Sequence, residues 1–303
     1  MQTEITIEWA IEGFRYEIES TLKPLTVRYY CGELGRFSSW THSSGVPRDI
    51  RLVTKQHIHA FFHYLLTARV AGTSGRQPQG IEHYRWPYYR SLRRFFSWAT
   101  KEGYVERSPM DGIVLKAPKD PPVDPYHSRH IELMLAVLDR EWQTATTTRQ
   151  RMLAARDRAI FILFLESGLR LSEMAMLKTE DVDLEHQRAL VREGKTGKGR
   201  LVGFGLQTKK ALWRYLGLRP SEAQTDTLWL TEEYRPMTKY GVQEVIRRLK
   251  DEAGLQNVEG SVHKLRHTFA TTYLRHTKDM KGCRILLGHS TLAMTERYTQ
   301  FID

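Results

Sequence analysis

The chain of 303 residues is poor in cysteine and contains no long apolar run. Its two cysteines, Cys31 and Cys283, are too few for a disulfide framework or a cysteine-based metal site. No apolar stretch approaches the roughly 18 residues that a membrane helix needs. The N-terminus has no basic segment followed by an apolar one, so no signal peptide is predicted. These absences predict a soluble, cytoplasmic protein without a membrane partner.

Positive charge is abundant. Lysine and arginine number 46 against 35 aspartates and glutamates, which gives a formal net charge of +11, and both halves of the chain are basic. Such an excess predicts a polyanionic partner, most simply nucleic acid. A well-solvated basic surface is the alternative that charge alone leaves open. Hydrophobic residues make up 41% and charged residues 27%, which is typical of a globular protein.

Four prolines between residues 117 and 125 mark the most obvious break in the chain. Proline disfavours helix and favours an extended segment, so this stretch predicts a linker. We therefore expect a helical domain over residues 1–117, a linker over 118–127 and a second domain over 128–303. The length is sufficient for two such domains.

The first domain is predicted to be helical. Apolar side chains recur at steps of three and four residues after Pro24, at Thr26, Tyr30, Leu34, Phe37 and Trp40. Two further helical stretches are expected at His57–Leu66 and Tyr88–Ala99. In the second of these, Arg90, Arg93 and Arg94 occupy the face opposite the aromatic residues, where they could bind a phosphate backbone. A solvated basic face is again the alternative.

The second domain is predicted to be mainly helical with one β-hairpin. A helix over Arg151–Ser167 should end at Gly168, and Ser172 is placed to cap the next helix ahead of Glu173. Two short extended runs, 188–193 and 200–204, flank a glycine-rich turn and predict the hairpin. Further helices are expected over 206–216, 240–252 and from residue 262 to the end. The predicted fold class is thus mainly α, with a small sheet in the second domain.

Four segments of the second domain carry reactive side chains. They are GLRLSE (168–173), the hairpin turn with Lys195 and Lys198, HKLRH (263–267), and LGHS (287–290) with a tyrosine nine residues after its histidine. Together they supply two guanidiniums, ammonium groups, imidazoles and a phenol. No carboxylate cluster or phosphate-binding loop of the nucleotide-hydrolase type accompanies them.

This set of groups suits attack on a phosphodiester. Two arginines can bind the non-bridging oxygens and stabilise the charge of the transition state. A tyrosine hydroxyl, with an ordinary pKa of about 10, can act as a covalent nucleophile once a base takes its proton. A lysine on the turn can protonate the leaving 5′ oxygen, and no metal is required because cations supply its electrostatic role. We expect His263 and Arg266 on one helix face, and His289 beside a helix N-terminus where a phosphate is favoured.

In this order and combination, the segments resemble the motifs of the tyrosine recombinase (phage integrase) family, which includes the Xer and Cre recombinases. Each motif alone would be a weak signal, and their combination is a strong one. The resemblance implies roles for eight residues: Arg170 and Arg266 as catalytic arginines, Lys195 as general acid, His263 as acceptor of the nucleophile's proton, His289 as a hydrogen-bond donor to the phosphate, Tyr298 as nucleophile, and Glu173 and His267 as supporting residues. Lys198 lies on the same turn as Lys195 and is the alternative general acid or a DNA contact.

The resemblance also implies an architecture and a reaction. The family forms a two-domain clamp, with a helical core-binding domain and a mixed α/β catalytic domain on opposite sides of the duplex. The partner would be double-stranded DNA with short inverted-repeat core sites, bound at two sites by a homo-tetramer. Strand exchange would pass through a 3′-phosphotyrosine and a Holliday junction without cofactor or metal, and would serve integration, excision or resolution of DNA. We expect no arm-binding domain and a nucleoid-associated location.

Three alternatives stay open at this point. A type IB topoisomerase-like enzyme would use the same chemistry on one strand, and the need for a paired second site separates it from a recombinase. An idle DNA-binding regulator is disfavoured, because every expected catalytic position is retained. A metal-dependent hydrolase would use His263, His267 and His289, but Lys264 replaces the glutamate of HExxH and no carboxylate ligand is evident.

Overall fold

The computed structural model describes residues 4–72, 81–118, 123–192, 199–220, 223–260, 262–289 and 291–299. The chain forms two compact units, Met1–Asp120 and Pro121–Asp303. Each has its own hydrophobic core, so the two are described separately. Among the residues that the structure covers, no helix combines the length and the apolar character needed to cross a membrane.

The described residues of the first unit form four helices, α1 (Ile7–Glu19), α2 (Pro24–Ser43), α3 (Lys55–Gly72) and α4 (Ile81–Lys101), with a 3-10 turn at Ile50–Leu52. Helix α2 begins with Pro24, whose fixed φ suits the first helical position. The expected helices at 57–66 and 88–99 are confirmed and extend further at both ends. The core is dominated by aromatic rings, such as the edge-to-face pair of Phe14 and Phe95, whose centroids are 5.6 Å apart.

The predicted apolar stripe on α2 is correct at four of its five positions. Tyr30, Leu34, Phe37 and Trp40 are buried, but Thr26 is exposed and the neighbouring Val27 is buried in its place. The steps between the buried positions 27, 30, 34 and 37 follow the helical period, and Thr26 falls outside that face.

Arg90, Arg93 and Arg94 of α4 are exposed, as expected. Two of them are anchored on aromatic side chains. The guanidinium of Arg94 lies 5.1 Å from the ring centroid of Tyr30, and Arg93 Nη1 donates to the hydroxyl of Tyr89 at 3.0 Å. Their positive ends are therefore held at the surface of the unit.

The second unit contains eight helices and three strands among its described residues. In chain order they are α5 (Ser128–Thr144), α6 (Thr148–Ser167), α7 (Leu171–Ala175), β1 (Val182–Asp183), β2 (Arg188–Val191), β3 (Arg200–Gly203), α8 (Leu206–Leu218), α9 (Lys239–Glu252), α10 (Val262–Thr277), α11 (Met280–Leu287) and α12 (Ala293–Glu296), with a 3-10 turn at Thr179–Asp181. The strands pair antiparallel in the order β1-β2-β3, with Ala189 opposite Val202. Helix α6 is central because it packs against both α8 and α10.

The predicted fold class is confirmed: the protein is mainly α with a small sheet in the second unit. The two expected hairpin strands pair as predicted, and β1 was not expected. The turn between β2 and β3, with Lys195 and Lys198, lies outside the described residues.

The helical region expected from residue 262 to the end consists of α10, α11 and α12, with Lys278 and Gly288 in left-handed conformations at the breaks. The helix end expected at Gly288 is present. One local expectation was wrong. Ser172 does not cap α7, because Arg170 holds the N-cap position and its N–H donates to the Glu173 carboxylate at 2.8 Å. Within the expected linker, Tyr126 is buried, and its N–H donates to Thr268 Oγ1 at 2.8 Å.

Candidate active site

Two helices of the second unit end in left-handed glycines at the candidate site. Gly168 ends α6 with φ +62°, and Gly288 ends α11 with φ +64°. A Cβ atom on Gly168 would collide with the ring of Phe269, and one on Gly288 would lie 3.1 Å from the guanidinium carbon of Arg200. Both positions therefore need glycine for conformation and for space. The last carbonyl groups of the two helices are left facing the site.

Arginine side chains bind these carbonyl groups. Three successive carbonyls at the end of α11 each accept a hydrogen bond from a different arginine: Leu286 O from Arg200 Nε at 3.0 Å, Leu287 O from Arg266 Nη2 at 2.6 Å, and Gly288 O from Arg170 Nη2 at 2.8 Å. Arg266 Nη1 also donates to Gly168 O at 2.6 Å, at the end of α6. Cations are favoured at helix C-termini, and here they fix the turn that carries His289.

Glu173 lies between two of these arginines. Its Oε1 accepts from Arg170 Nη1 at 2.8 Å and from Arg200 Nη1 at 2.9 Å, and its Oε2 accepts from Arg200 Nη2 at 2.8 Å. Burial opposes ionisation of this carboxyl, but the hydrogen bonds from Arg200 and Arg170 outweigh it and lower its pKa to about 2. Among the described residues, Glu173 thus supplies the carboxylate that faces the guanidiniums at the end of α11.

Arg266 is buried, with 6% of its surface exposed. Burial lowers its pKa to about 10, and the positive charge of Arg170 acts in the same direction. The guanidinium is still charged at neutral pH, but it is held in an environment that penalises the charge. An anion bound beside it would relieve that penalty, which makes Arg266 a candidate functional group on physical grounds.

Tyr298 is also buried, with 2% of its surface exposed. Its ring packs in a small apolar cluster that includes Phe269, Leu274 and Cys283. The hydroxyl lies 2.7 Å from Nδ1 of His267. Burial raises the pKa of Tyr298, while the positive charges of Arg266 and Arg297 act against that rise. The phenol is therefore held protonated, in contact with an imidazole and close to the arginine site.

The three histidines of the site lie in different surroundings. His289 is half-buried, with Nδ1 2.9 Å from the hydroxyl oxygen of the buried Thr295. Burial lowers the pKa of both His267 and His289 to about 4, and nearby arginine charges add to the effect. His263 is exposed in the first turn of α10, and desolvation together with Arg266 and Arg170 lowers its pKa as well. All three imidazoles are neutral at pH 7.

The expectation that His289 lies beside a helix N-terminus was wrong. His289 directly follows the C-terminal glycine of α11, and α12 begins only at Ala293. The positive charge near His289 therefore comes from the arginines that bind the end of α11 and not from a helix dipole.

The structure brings seven of the sequence-predicted site residues into one region of the second unit through direct contacts or shared charge: Arg170, Glu173, His263, Arg266, His267, His289 and Tyr298. The DNA-binding candidates Arg90, Arg93 and Arg94 belong to the first unit. Lys195 and Lys198 lie outside the described residues, so their place in the site stays a prediction. Sequence reasoning missed Arg200 and Thr295, for which no local pattern offers a signal.

The part of the chain that the structure describes offers no set of metal ligands, which the metal-hydrolase alternative would require. No group of three His, Cys, Asp or Glu side chains there is arranged to hold a metal ion. His267 and His289 each direct Nδ1 at a hydroxyl group.

The lowered histidine pKa values predict a stability that depends on pH. His267 and His289 titrate near pH 4 in the folded protein and near 6.5 when unfolded, so the unfolded chain binds more protons between these values. Stability is therefore expected to fall as the pH drops from 7 to 5, by about 2–4 kcal/mol in urea unfolding. His267→Gln should remove about half of this dependence. The exposed His276, replaced by Gln, should leave it unchanged, and a flat profile in the parent protein would contradict the prediction.

Comparison with known proteins identifies the family to which the chain belongs. The model of the Phage integrase family matches residues 137–302. The chain is 29% identical over 304 residues to tyrosine recombinase XerC of Oceanobacillus iheyensis, covering 98% of this chain and 92% of that one. It is 33% identical over 214 residues to tyrosine recombinase XerC of Lactobacillus delbrueckii subsp. bulgaricus, covering 69% of each chain.

Solved structures share the fold at lower sequence identity. The XerH site-specific recombinase in a post-cleavage complex with palindromic difH substrate has a TM-score of 0.73 at 21% identity, covering 92% of this chain and 77% of that one. The Tn1549 transposon integrase in complex with circular intermediate DNA has a TM-score of 0.69 at 20% identity, covering 97% and 95%.

The fold and the family match together define the class: the chain belongs to the phage integrase family. Within that class, its Xer relatives make it a tyrosine-type site-specific recombinase.

Proposed function

We propose that this recombinase cleaves DNA by forming a 3′-phosphotyrosine at Tyr298 and exchanges strands through a Holliday junction. The observation that supports it best is the pairing of a buried phenol with an imidazole close to a cluster of guanidiniums. Tyr298 contacts His267 at 2.7 Å, and three arginines are fixed on successive carbonyls at the end of α11.

In the proposed reaction, Arg170 and Arg266 bind the non-bridging oxygens of the scissile phosphate, and His289 donates a hydrogen bond to it. The Tyr298 oxygen attacks phosphorus, and the bond from phosphorus to the 5′ oxygen breaks. The phenolic proton passes to a neutral imidazole. The leaving 5′ oxygen takes a proton from Lys195, with Lys198 as the alternative donor. Attack by the 5′ hydroxyl of a partner strand then reverses these steps.

The proton acceptor has two candidates. The family resemblance implies His263, which is exposed beside Arg266 and Arg170. The hydroxyl of Tyr298 contacts His267 instead in this structure. Because only 2% of Tyr298 is exposed, the segment that carries it has to open before its oxygen meets a DNA phosphate. We propose that His267 holds the resting phenol and that His263 receives the proton at the phosphate.

We further propose double-stranded DNA with short inverted-repeat core sites as the substrate, bound at two sites by a homo-tetramer. Relatives of this fold have been captured on DNA, among them XerH on difH and a lambda integrase dimer on a COC′ core site. The net charge of +11 and the exposed Arg90, Arg93 and Arg94 suit contacts with phosphates. These arginines would position the protein on DNA without reading its sequence.

Covalent capture tests the proposal. Duplexes tiled across the DNA that flanks this gene, each nicked close to a candidate cleavage position, are mixed with the protein in EDTA and separated on a denaturing gel. We expect one duplex to give a covalent adduct, and mass spectrometry of its digest to place the nucleotide on the peptide that contains Tyr298. An adduct on another tyrosine would refute the site. An adduct without strand transfer to a second duplex would support the topoisomerase-like alternative, and tight binding without any adduct would support the idle regulator.

A further inference from the structure

Three arginines bind the end of α11, but the reaction above uses only two of them. Arg170 and Arg266 are the proposed phosphate ligands. The third arginine is Arg200. It donates to the carbonyl of Leu286, and Arg266 donates to the next carbonyl, that of Leu287. It is the first residue of β3, and the turn that carries Lys195 and Lys198 precedes it in the chain.

The contacts of Arg200 are directed inward. Only 13% of its side chain is exposed, and both of its terminal nitrogens donate to Glu173, one to each carboxylate oxygen, at 2.9 and 2.8 Å. Its guanidinium also lies so close to Gly288 that a Cβ there would be 3.1 Å away. One planar side chain thus joins β3, α7 and the glycine turn before His289. Only arginine offers donors at these angles, because a lysine ammonium cannot span two carboxylate oxygens and a carbonyl together.

The charges explain what this arrangement does for Arg170. Without Arg200, the buried carboxylate of Glu173 would keep Arg170 as its one ion-pair partner among the described residues. Arg170 would then be drawn more strongly toward Glu173, and the positive charge left for a phosphate would fall by one unit. The Leu286 carbonyl would also lose its donor, which loosens the turn that places His289.

We propose that Arg200 is a positioning residue of the phosphate site, which satisfies Glu173 and holds the Leu286–Gly288 turn so that Arg170 and His289 face the scissile phosphate. This inference rests on the proposed function. It also means that β3, the strand that follows the turn with Lys195 and Lys198, takes part in orienting the arginines of the phosphate site.

The test compares Arg200→Met with the parent protein in single-turnover cleavage of the duplex found by covalent capture. We expect cleavage to fall about 100-fold, as for a displaced catalytic group, while affinity for the same duplex changes by less than about two-fold. A second substrate carries a methylphosphonate at the scissile position, which removes one negative oxygen. If Arg200 acts through the phosphate ligands, Arg200→Met should lower the cleavage rate of this substrate by only about five-fold or less.

Further variants separate positioning from folding. When Glu173→Gln is added to Arg200→Met, cleavage should be about ten-fold faster than with Arg200→Met alone. The reason is that the carboxylate charge that Arg200 no longer pairs with is then removed as well. Arg200→Lys should resemble Arg200→Met. Arg188→Met is the matched control, since Arg188 lies on the neighbouring strand with an exposed ion pair to Asp183, and it should cleave at the parent rate. An equal loss on both substrates, with no recovery in the double variant, would overturn the proposal for Arg200. Absence of cleavage by the parent protein would instead overturn the proposed function.

Discussion

Replacing Tyr298 with phenylalanine is expected to abolish covalent attachment to DNA. The hydroxyl oxygen is the only nucleophilic atom that the change removes, so cleavage should fall by about 10⁴-fold or more. The ring should stay where it is, because it is almost fully buried among apolar side chains of α10 and α11. The lost hydrogen bond to His267 should cost about 1 kcal/mol of stability. DNA affinity should therefore be retained.

A matched control makes this result decisive. Tyr273 is half-buried and packs against the same apolar cluster as Tyr298, but it has no place in the proposed chemistry. Tyr273→Phe should form the adduct at the parent rate in the same nicked duplex. If Tyr298→Phe still formed an adduct while binding DNA normally, the nucleophile would lie elsewhere and the site assignment would be wrong.

Parts of the site that depend on neighbours along the chain could be predicted from the sequence. Gly168 was recognised as a helix end from its place after an apolar helical pattern, and it does end α6 in a left-handed conformation. The spacing of His263 and Arg266 put both on one helix, and α10 contains both. Local periodicity and turn chemistry are sufficient for such predictions.

Contacts between residues that are distant along the chain could not be predicted from the sequence. Glu173 and Arg200 are 27 residues apart, and His267 and Tyr298 are 31 apart. A helical or extended pattern shows which face of an element is buried, but it does not show which partner that face meets. Arg200 therefore looked like any arginine at the start of a strand, and His267 looked like a neighbour of the motif instead of the partner of the tyrosine.

Errors in the local predictions have the same origin. Ser172 has the right chemistry for a cap, but Arg170 takes the N-cap position because Glu173 can accept its N–H while binding two guanidiniums. In this place a tertiary contact outweighed the local preference. Tyr126, within the expected linker, is buried and donates its N–H to Thr268 on α10, a contact that the prolines around it do not indicate.

Arg266→Lys is the second variant with a large expected effect. The guanidinium spans Gly168 O and Leu287 O with two different nitrogens, both at 2.6 Å, and thereby joins the ends of α6 and α11. A lysine keeps the charge but cannot reproduce this planar fork. We expect cleavage to fall about 10³-fold, because the charge is no longer directed at the phosphate oxygens. Stability should fall by about 1–3 kcal/mol, because one buried carbonyl is left without a donor.

Loss of stability and loss of chemistry have to be separated for such a buried residue. Arg156 offers the comparison: it is as buried as Arg266, and its Nη1 donates to the Leu230 carbonyl at 2.6 Å, but its partners include no residue of the site. Arg156→Lys should therefore lower the midpoint of urea unfolding by a similar amount and leave cleavage per folded molecule unchanged. If Arg266→Lys cleaved as well as Arg156→Lys, the guanidinium of Arg266 would serve only to join two helix ends, and the phosphate would have to be bound by Arg170 and its neighbours alone.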